Sequence, residues 1–303
     1  MGRTGRRTAA ITPSAIEPDL RYRVYGLALR ANAPIDGLVA RDDTGPADVT
    51  VRFGAANEAP GEFLIEYADG TRFAIATDAS EIRCYSPSDS TLEDAATYLL
   101  GPVLAFVLRA RGTLALHASA IVTRGGAVLI AGAPGAGKST TAAACARGGL
   151  PVITEDVAPI AWRDERPFVL PGYPRVRVWS DVAAALWGSE DALPFLTPTW
   201  SKRYVDLTRG EYAFAAQEQP IAAVCVLAGR AAEPSLRRVA GHEAAMAVLR
   251  NTSVTETLFD SMRELELAQV ARLASAVPVF ELIAPDDLPR AGEICALLES
   301  AAF

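Results

Sequence analysis

The feature that most constrains this chain is a glycine-rich segment, Gly132-Ala133-Pro134-Gly135-Ala136-Gly137-Lys138-Ser139. It fits the pattern G-x-x-x-x-G-K-[ST]. An apolar run, Val128-Leu129-Ile130, precedes it, and the residues from Thr140 to Arg147 are typical of a helix. A strand, a glycine-rich loop and a helix in this order predict a loop whose backbone N–H groups surround phosphate oxygens.

Each residue type in this segment suits the binding of a nucleotide. Glycines leave room for phosphate oxygens close to the backbone, and the helix N-terminus adds a partial positive charge. We expect Lys138 to contact the β- and γ-phosphates of ATP, and the Ser139 hydroxyl to join the shell of a Mg²⁺ ion. The predicted nucleotide-binding residues are Gly132, Ala133, Pro134, Gly135, Ala136, Gly137, Lys138, Ser139 and Thr140.

Two carboxylates follow the next predicted strand, Val152-Ile153-Thr154. Strand C-termini in open α/β sheets face the ligand crevice, so Glu155 and Asp156 are expected beside the loop. One acid would bind the metal, directly or through water, and the other would accept a proton from an attacking hydroxyl. A solvated acidic turn is the alternative. His117 lies in an apolar strand and is a further catalytic candidate, the alternative being a core histidine.

The rest of the chain predicts an α/β fold with three parts. Residues 1–19 form a disordered tail, residues 20–110 a small β-rich N-terminal domain ending in a helix, and residues 111–303 a P-loop kinase domain. Alternating apolar residues predict antiparallel strands in the small domain, with a hairpin turn at Asp69-Gly70. One continuous helix is expected from Thr91 to Arg109. Strands separated by helices in the larger part predict a sheet covered on both faces.

Composition narrows the class of protein. The chain has 303 residues, of which 50% are hydrophobic and 21% charged, as in globular proteins. A net charge of -7 argues against a nucleic-acid partner. No secretory signal and no apolar segment of membrane-spanning length is evident. The four cysteines are far apart, which predicts reduced thiols. Together with the preceding observation on signal and membrane-spanning segments, this predicts a cytoplasmic protein without a membrane partner.

These segments together resemble the C-terminal domain of HPr serine kinases and their relatives. The shared order is Leu116-His117-Ala118, then Gly132 to Ser139, then Arg147-Gly148 and Glu155-Asp156. The resemblance is strong from Leu114 to Val157 and weaker through the rest of the kinase domain. The segment Tyr22 to Gly26 also resembles the opening of HPr-kinase-related proteins that carry a small β domain.

The resemblance implies an ATP-dependent serine kinase of HPr-kinase type that uses ATP and Mg²⁺. By position in the family motif, Glu155 is the implied base, His117 its helper, and Asp156 a residue of the metal and phosphate side. The family has Asp at the first of these acids, so Glu155 is a departure that leaves the division of labour open. A homo-oligomer is a further expectation from the resemblance.

A second departure concerns the acceptor. The bifunctional HPr enzymes carry a signature stretch where this chain has Pro171 to Trp179, which argues against HPr as the substrate. Relatives from ribosomal-peptide pathways, including kinases of lasso-peptide precursors, fit better. We expect a peptide or protein serine, with the peptide adding to a strand edge of the N-terminal domain. The alternatives are a kinase of free serine and a non-catalytic ATP-binding sensor.

Four basic residues are candidate substrate contacts. Arg175 and Arg177 lie within the altered stretch, among aromatic residues and proline. Lys202 and Arg203 follow a proline-rich loop that would fold over the site. A cation there would neutralise charge on the transferring phosphoryl group, and a solvated surface is the alternative.

Overall fold

The computed structural model describes residues 19–42, 44–54, 63–254, 260–301 and 303. The predicted disordered tail lies outside the described residues except for Asp19. Within the described part, the strands form two large sheets and one two-stranded sheet. Helices separate many of the strands, so the predicted α/β class is confirmed.

The strands of the first sheet are β1 (Leu20–Val24), β2 (Leu27–Ala31), β3 (Val49–Phe53), β4 (Phe63–Glu66), β5 (Arg72–Ile75) and β6 (Glu81–Tyr85). Their order in the described residues is β1-β2-β3-β6-β5-β4. The turn at Asp69-Gly70 joins β4 and β5 as an antiparallel hairpin, as predicted. The prediction of a wholly antiparallel sheet is wrong, because β3 runs parallel to both β2 and β6. A long connection joins β2 to β3, and the β4–β5 hairpin lets β6 return beside β3.

A broken helical region follows this sheet. It consists of α1 (Leu92–Tyr98), a π-helical turn (Leu99–Val103) and α2 (Leu104–Ala110). The prediction of one continuous helix is wrong, because Gly101 has non-helical angles (φ -101°, ψ -110°) immediately before Pro102. Proline has no N–H to donate and disfavours the helical conformation of the preceding residue.

The later strands are β7 (Ala115–Leu116), β8 (Ala118–Thr123), β9 (Gly126–Gly132), β10 (Val152–Thr154), β11 (Ala158–Arg163), β12 (Arg166–Val169), β13 (Arg175–Val178), β14 (Arg203–Asp206), β15 (Gln219–Ala231), β16 (Ser235–Val239) and β17 (Val279–Pro285). β13 pairs with β14. The other nine form one sheet within the described ranges, in the order β10-β8-β9-β15-β12-β11-β7, with β17 beside β15 and β16 beside β17.

Helices cover both faces of this second sheet. They are α3 (Lys138–Arg147), α4 (Ser180–Trp187), α5 (Gly241–Leu249), α6 (Asp260–Ala276) and α7 (Gly292–Ser300). On β9, Val128 and Ile130 pack in the cluster that contains α3 and α7. The intervening Leu129 packs on the other face, with α5 and α6. The predicted covered sheet is therefore confirmed. No helix among the described residues is long and apolar enough to cross a bilayer.

The predicted strand from Leu114 to Val122 is interrupted at His117. The His117 N–H donates to the Asn251 carbonyl at 2.7 Å rather than to a neighbouring strand of the sheet. The chain therefore changes partners between β7 and β8, and the catalytic candidate lies at this interruption.

The two sheets share a hydrophobic core. One cluster contains residues of the first sheet together with Ala115, Val157 and Tyr173 from the second part of the chain. The Tyr25 hydroxyl adds a 2.9 Å hydrogen bond to the Leu100 carbonyl. The division into domains at residue 110 stays a prediction.

Candidate active site

The glycine-rich loop connects the end of β9 to the start of α3. Gly135 and Gly137 have φ angles of 80° and 108°, which residues with a Cβ rarely adopt. The Lys138 ammonium donates to the carbonyl oxygens of Gly132 at 2.7 Å and Ala133 at 3.1 Å. Burial lowers the pKa of Lys138, although nearby carboxylates oppose the shift. The ammonium is therefore held above the loop by the loop's own backbone.

The order of strands brings the predicted catalytic residues to one edge of the second sheet. β8 is antiparallel to both β9 and β10, so β9 and β10 end at the same edge. The loop follows β9, and Glu155 and Asp156 follow β10. His117 lies immediately before β8, whose first residue is at that edge. Three separate sequence signals therefore meet at one place.

Glu155 is 4% exposed, and both of its carboxylate oxygens have partners. Oε1 accepts a hydrogen bond from Ser139 Oγ at 2.6 Å. Oε2 accepts one from Arg177 Nε at 2.8 Å. Glu155 thus joins the predicted metal-binding hydroxyl to a buried guanidinium.

Asp156 bonds on its two sides to His117 and Arg177. Its Oδ1 lies 3.1 Å from His117 Nδ1, and its Oδ2 lies 2.6 Å from Arg177 Nη2. Burial alone would raise the pKa of Asp156, but Arg177 and His117 outweigh it and hold that pKa well below its ordinary range. Its φ of 73° is unusual for a residue other than glycine, and such conformations cluster at functional sites. The carboxylate is therefore ionised and fixed in place.

The assignment by position in the family motif gives these two acids different partners. It pairs Glu155 with His117 and assigns Asp156 to the metal and the phosphates. In the structure Glu155 is the carboxylate that bonds to Ser139, and Asp156 is the one that bonds to His117.

Arg177, predicted as a substrate contact, is 8% exposed and pairs with both acids. Burial would lower its pKa, but Glu155, Tyr173 and Asp156 raise it well above its ordinary value. Sequence reasoning missed this role because the pairing joins β13 to the turn after β10. Arg177 fixes the two carboxylates, and because its guanidinium is already paired with both of them, it is not available to bind a substrate.

Two of the predicted substrate cations lie elsewhere. Arg175 Nη2 bonds to Asp36 Oδ1 at 2.9 Å, beside a different cavity that borders the first sheet. Arg203 donates to the Leu193 carbonyl at 3.0 Å and to Asp191 Oδ1 at 2.8 Å. Both guanidiniums are committed to structural partners.

Lys202, by contrast, lies at the site. Its ammonium is 4.6 Å from the centroid of the Trp179 ring. Burial and the neighbouring Arg177 lower the pKa of Lys202. The sequence holds a signal for it: of the 29 lysine and arginine residues, only Lys138 and Lys202 are lysines. Both line the same cavity.

Two cavities meet at His117, Pro134 and Asp156. The first, here called the phosphate cavity, has a volume of about 350 Å³. Its lining residues include Lys138, Ser139, Thr140, Glu155, Arg177 and Lys202. The second, here called the helix-side cavity, has a volume of about 450 Å³. Its lining residues include Gly101, Pro102, Ala105, Val157, Asn251 and Ser253. A cavity of about 600 Å³ at the far end of α3 is lined by none of the predicted site residues.

The phosphate cavity offers suitable oxygens for magnesium. Ser139 Oγ and Glu155 Oε1 are adjacent, and hard cations prefer such ligands. Among the described residues no group of three or more His, Cys, Asp and Glu is arranged to hold a metal. Mg²⁺ characteristically takes one or two protein ligands and completes its shell with phosphate oxygens and water, so the residues fit this ion.

Arg230, which has no sequence signature, lies on the other side of the loop from the carboxylates. It belongs to β15, which runs parallel to β9. Its Nη2 is 3.3 Å from the position that a Cβ on Gly137 would take, and its Nη1 donates to the Pro285 carbonyl at 3.1 Å. The β9–β15 pairing, which the sequence does not reveal, brings this cation to the start of α3.

Comparisons with known proteins give a distant structural likeness. No protein-family model and no curated protein matches the chain. Among solved structures, the chain is similar to the HPr(Ser) kinase/phosphatase from Coxiella burnetii, with 13% identity and a TM-score of 0.32. The likeness covers 61% of this chain and 91% of that one. At this TM-score it does not by itself establish fold or function.

Proposed function

We propose that this chain is an ATP-dependent kinase that transfers the γ-phosphoryl group to a serine hydroxyl of a peptide or protein. The supporting observation is one continuous set of contacts, from Ser139 through Glu155, Arg177 and Asp156 to His117. It begins at the glycine-rich loop and ends between the two cavities. The motif resemblance to HPr serine kinases agrees with this assignment.

The phosphate side of the reaction belongs to the loop and its cations. Backbone N–H groups of the loop and the start of α3 bind the phosphates. Ser139 and Glu155 would hold the magnesium ion, which would neutralise negative charge on the phosphates of ATP. Lys138 and Lys202 stabilise the negative charge of the transferring group. Arg230 lies beside Gly137, on the side of the loop away from the carboxylates.

The acceptor side belongs to His117 and Asp156. Asp156 holds the imidazole through Nδ1, which leaves Nε2 to accept a proton. The acceptor oxygen bonds to the γ-phosphorus, its proton passes to His117 Nε2, and the bond to the β–γ bridging oxygen breaks. ADP leaves with that oxygen.

The lining of the helix-side cavity is suited to a neutral acceptor side chain. It opens beside His117, and its walls are mostly apolar or uncharged, with Arg250 as a cation among the lining residues. A serine side chain entering from a flexible peptide matches this lining.

The test is mass spectrometry of a peptide with a serine near its end, of HPr and of free serine, each with enzyme, ATP and Mg²⁺. A gain of about 80 daltons, one phosphoryl group, on the peptide alone supports the proposal.

The other outcomes distinguish the alternatives. Phosphoserine formed from free serine, with the peptide unchanged, identifies a small-molecule kinase. ATP binding without modification of any acceptor identifies a nucleotide sensor.

Replacing Lys138 tests the nucleotide site directly. Lys138→Ala removes an ammonium from a partly desolvated loop, so ATP affinity or turnover should fall by the equivalent of about 2–4 kcal/mol. Titration with ATP and Mg²⁺ measures it. Arg124→Ala removes an exposed charge ahead of β9 and serves as the control. Wild-type binding and turnover in Lys138→Ala would sink the assignment.

A further inference from the structure

The loop that carries Lys202 is attached to the N-terminal part of the chain. Here it is called the docking loop, residues 196–202. A hydrogen bond of 2.8 Å from Leu196 N–H to the Lys202 carbonyl closes its base. At its tip, the Thr199 hydroxyl donates to Asp94 Oδ1 at 2.5 Å.

An aromatic contact adds to this attachment. The ring of Trp200 packs edge-on against Tyr98, with centroids 5.4 Å apart. Tyr98 in turn stacks on Tyr67 of the first sheet's hairpin at 3.8 Å. Two independent contacts therefore fix the docking loop to α1.

The Asp94 carboxylate is suited to hold a hydroxyl. Asp94 is 2% exposed, and its other oxygen accepts the Thr91 N–H at the start of α1. Burial would raise its pKa, but the hydrogen bonds from Thr199 and Thr91 lower it below the ordinary value. The acceptor is therefore charged, which strengthens the bond to Thr199.

Lysine usage marks Lys202 as more than a surface cation. Of the 29 lysine and arginine residues, every one outside the phosphate cavity is arginine. A lysine ammonium is a compact point charge, whereas guanidinium prefers planar, bidentate partners. A single ammonium suits the equatorial oxygens of a moving phosphoryl group.

We propose that α1 positions Lys202 for phosphoryl transfer by holding the docking loop through Thr199 and Trp200. This inference rests on the proposed function. Thr199 and Trp200 are positioning residues, since they act through Lys202 and line neither cavity. The N-terminal part of the chain then takes part in catalysis, rather than serving only to dock a substrate.

The first test does not depend on activity. Because the chain has two lysines, competitive acylation followed by mass spectrometry reports the titration of each side-chain amine separately. The charged groups that face Lys202 are Arg177, Glu155 and Asp156. In the wild type we expect the Lys202 midpoint to lie below that of an ordinary lysine. In Thr199→Val and Trp200→Leu it should move toward the ordinary value, because the amine becomes more hydrated.

The second lysine and two further variants serve as controls. The Lys138 midpoint should not move in either variant. Thr208→Val removes the same kind of hydroxyl–carboxylate bond, to Asp206 at 2.6 Å, on an exposed turn away from the site. Thr199→Ser keeps the hydroxyl and should match the wild type. An unchanged Lys202 midpoint in both Thr199→Val and Trp200→Leu would overturn the proposal.

The second test is a double-mutant cycle on the rate of transfer. We expect Thr199→Val to lower kcat about tenfold with the KM for ATP little changed, since losing a hydrogen bond to a charged group is of that size. In a Lys202→Met background the same change should add almost nothing. Independent, multiplying effects would contradict positioning. Absence of transfer by the wild type would instead refute the proposed function, and the acylation result would still stand.

Discussion

Arg177 is the residue on which the geometry of both acids depends. It is buried, and it forms an ion pair with the buried Glu155 and with the partly exposed Asp156. Removing one partner of such a buried group leaves charges without compensation. Arg175, two residues away on the same strand, forms a more exposed pair with Asp36.

The two arginines therefore give a matched comparison. Arg177→Met should lower the free energy of unfolding by about 3–5 kcal/mol, because the buried Glu155 carboxylate and the partly exposed Asp156 carboxylate both lose their cation. Arg175→Met should cost about 1 kcal/mol, since its pair is partly solvated. Urea unfolding followed by circular dichroism measures both. Equal, small losses would show that Arg177 does not organise the site.

For individual residues, the sequence predicts the loop and the candidate acids, but it does not predict which side chains those acids bond to. The motif identifies Lys138 and Ser139 because their spacing along the chain is fixed. The bonds of Arg177 to the acids and of His117 to Asp156 join distant segments, so only the strand order reveals them. The use of lysine at position 202 was a signal present in the sequence.

Among the elements, the break between α1 and α2 bears most directly on the site. Gly101 has no Cβ, and a Cβ there would lie 3.1 Å from Asp156 Oδ2. The break thus brings a helix of the first part of the chain against the Asp156 carboxylate. Periodicity predicted one helix because the apolar stripe continues on both sides of Gly101-Pro102.

Gly101→Ala tests this element. We expect a loss of about 1–3 kcal/mol of stability, because the added methyl group would lie too close to Asp156 Oδ2, and slower transfer, because it displaces that carboxylate. Gly292→Ala is the control, since nothing lies within 4 Å of a Cβ there. It should be neutral or raise stability by up to about 1 kcal/mol. Identical behaviour of the two variants in unfolding and in transfer would contradict the account.

Over the whole molecule, apolar patterning predicts the covered α/β sheet, and the wide spacing of the cysteines predicts reduced thiols. All four cysteines are free and buried. The parallel pairing in the first sheet and the shared core were not predictable, because both depend on long connections. The sequence does not predict how the two sheets pack against each other near the candidate site.

Acid conditions test the ionised groups of the whole molecule. The pKa values of Asp94 and Asp156 are lowered in the folded state, where hydrogen bonds and ion pairs outweigh burial. Their contribution to stability is therefore present above the unfolded value of about 3.9 and is lost as pH falls toward the folded values. Unfolding in urea at pH 7, 5, 4 and 3 should show a decline that begins near pH 5. A smaller decline in Asp94→Asn is expected, and a flat wild-type profile would contradict the shifts.

The most direct test of the central claim is the rate of phosphoserine formation in variants of the two acids. Glu155→Gln and Asp156→Asn keep size and shape, and asparagine accepts the positive φ at position 156. Both should fold cooperatively, and Asp156→Asn should slow transfer by at least about a hundredfold, the size expected for a group that supports a positioned base. The rate is measured by mass spectrometry of the acceptor peptide with ATP and Mg²⁺. Wild-type rates in both variants would show that these carboxylates take no part in phosphoryl transfer.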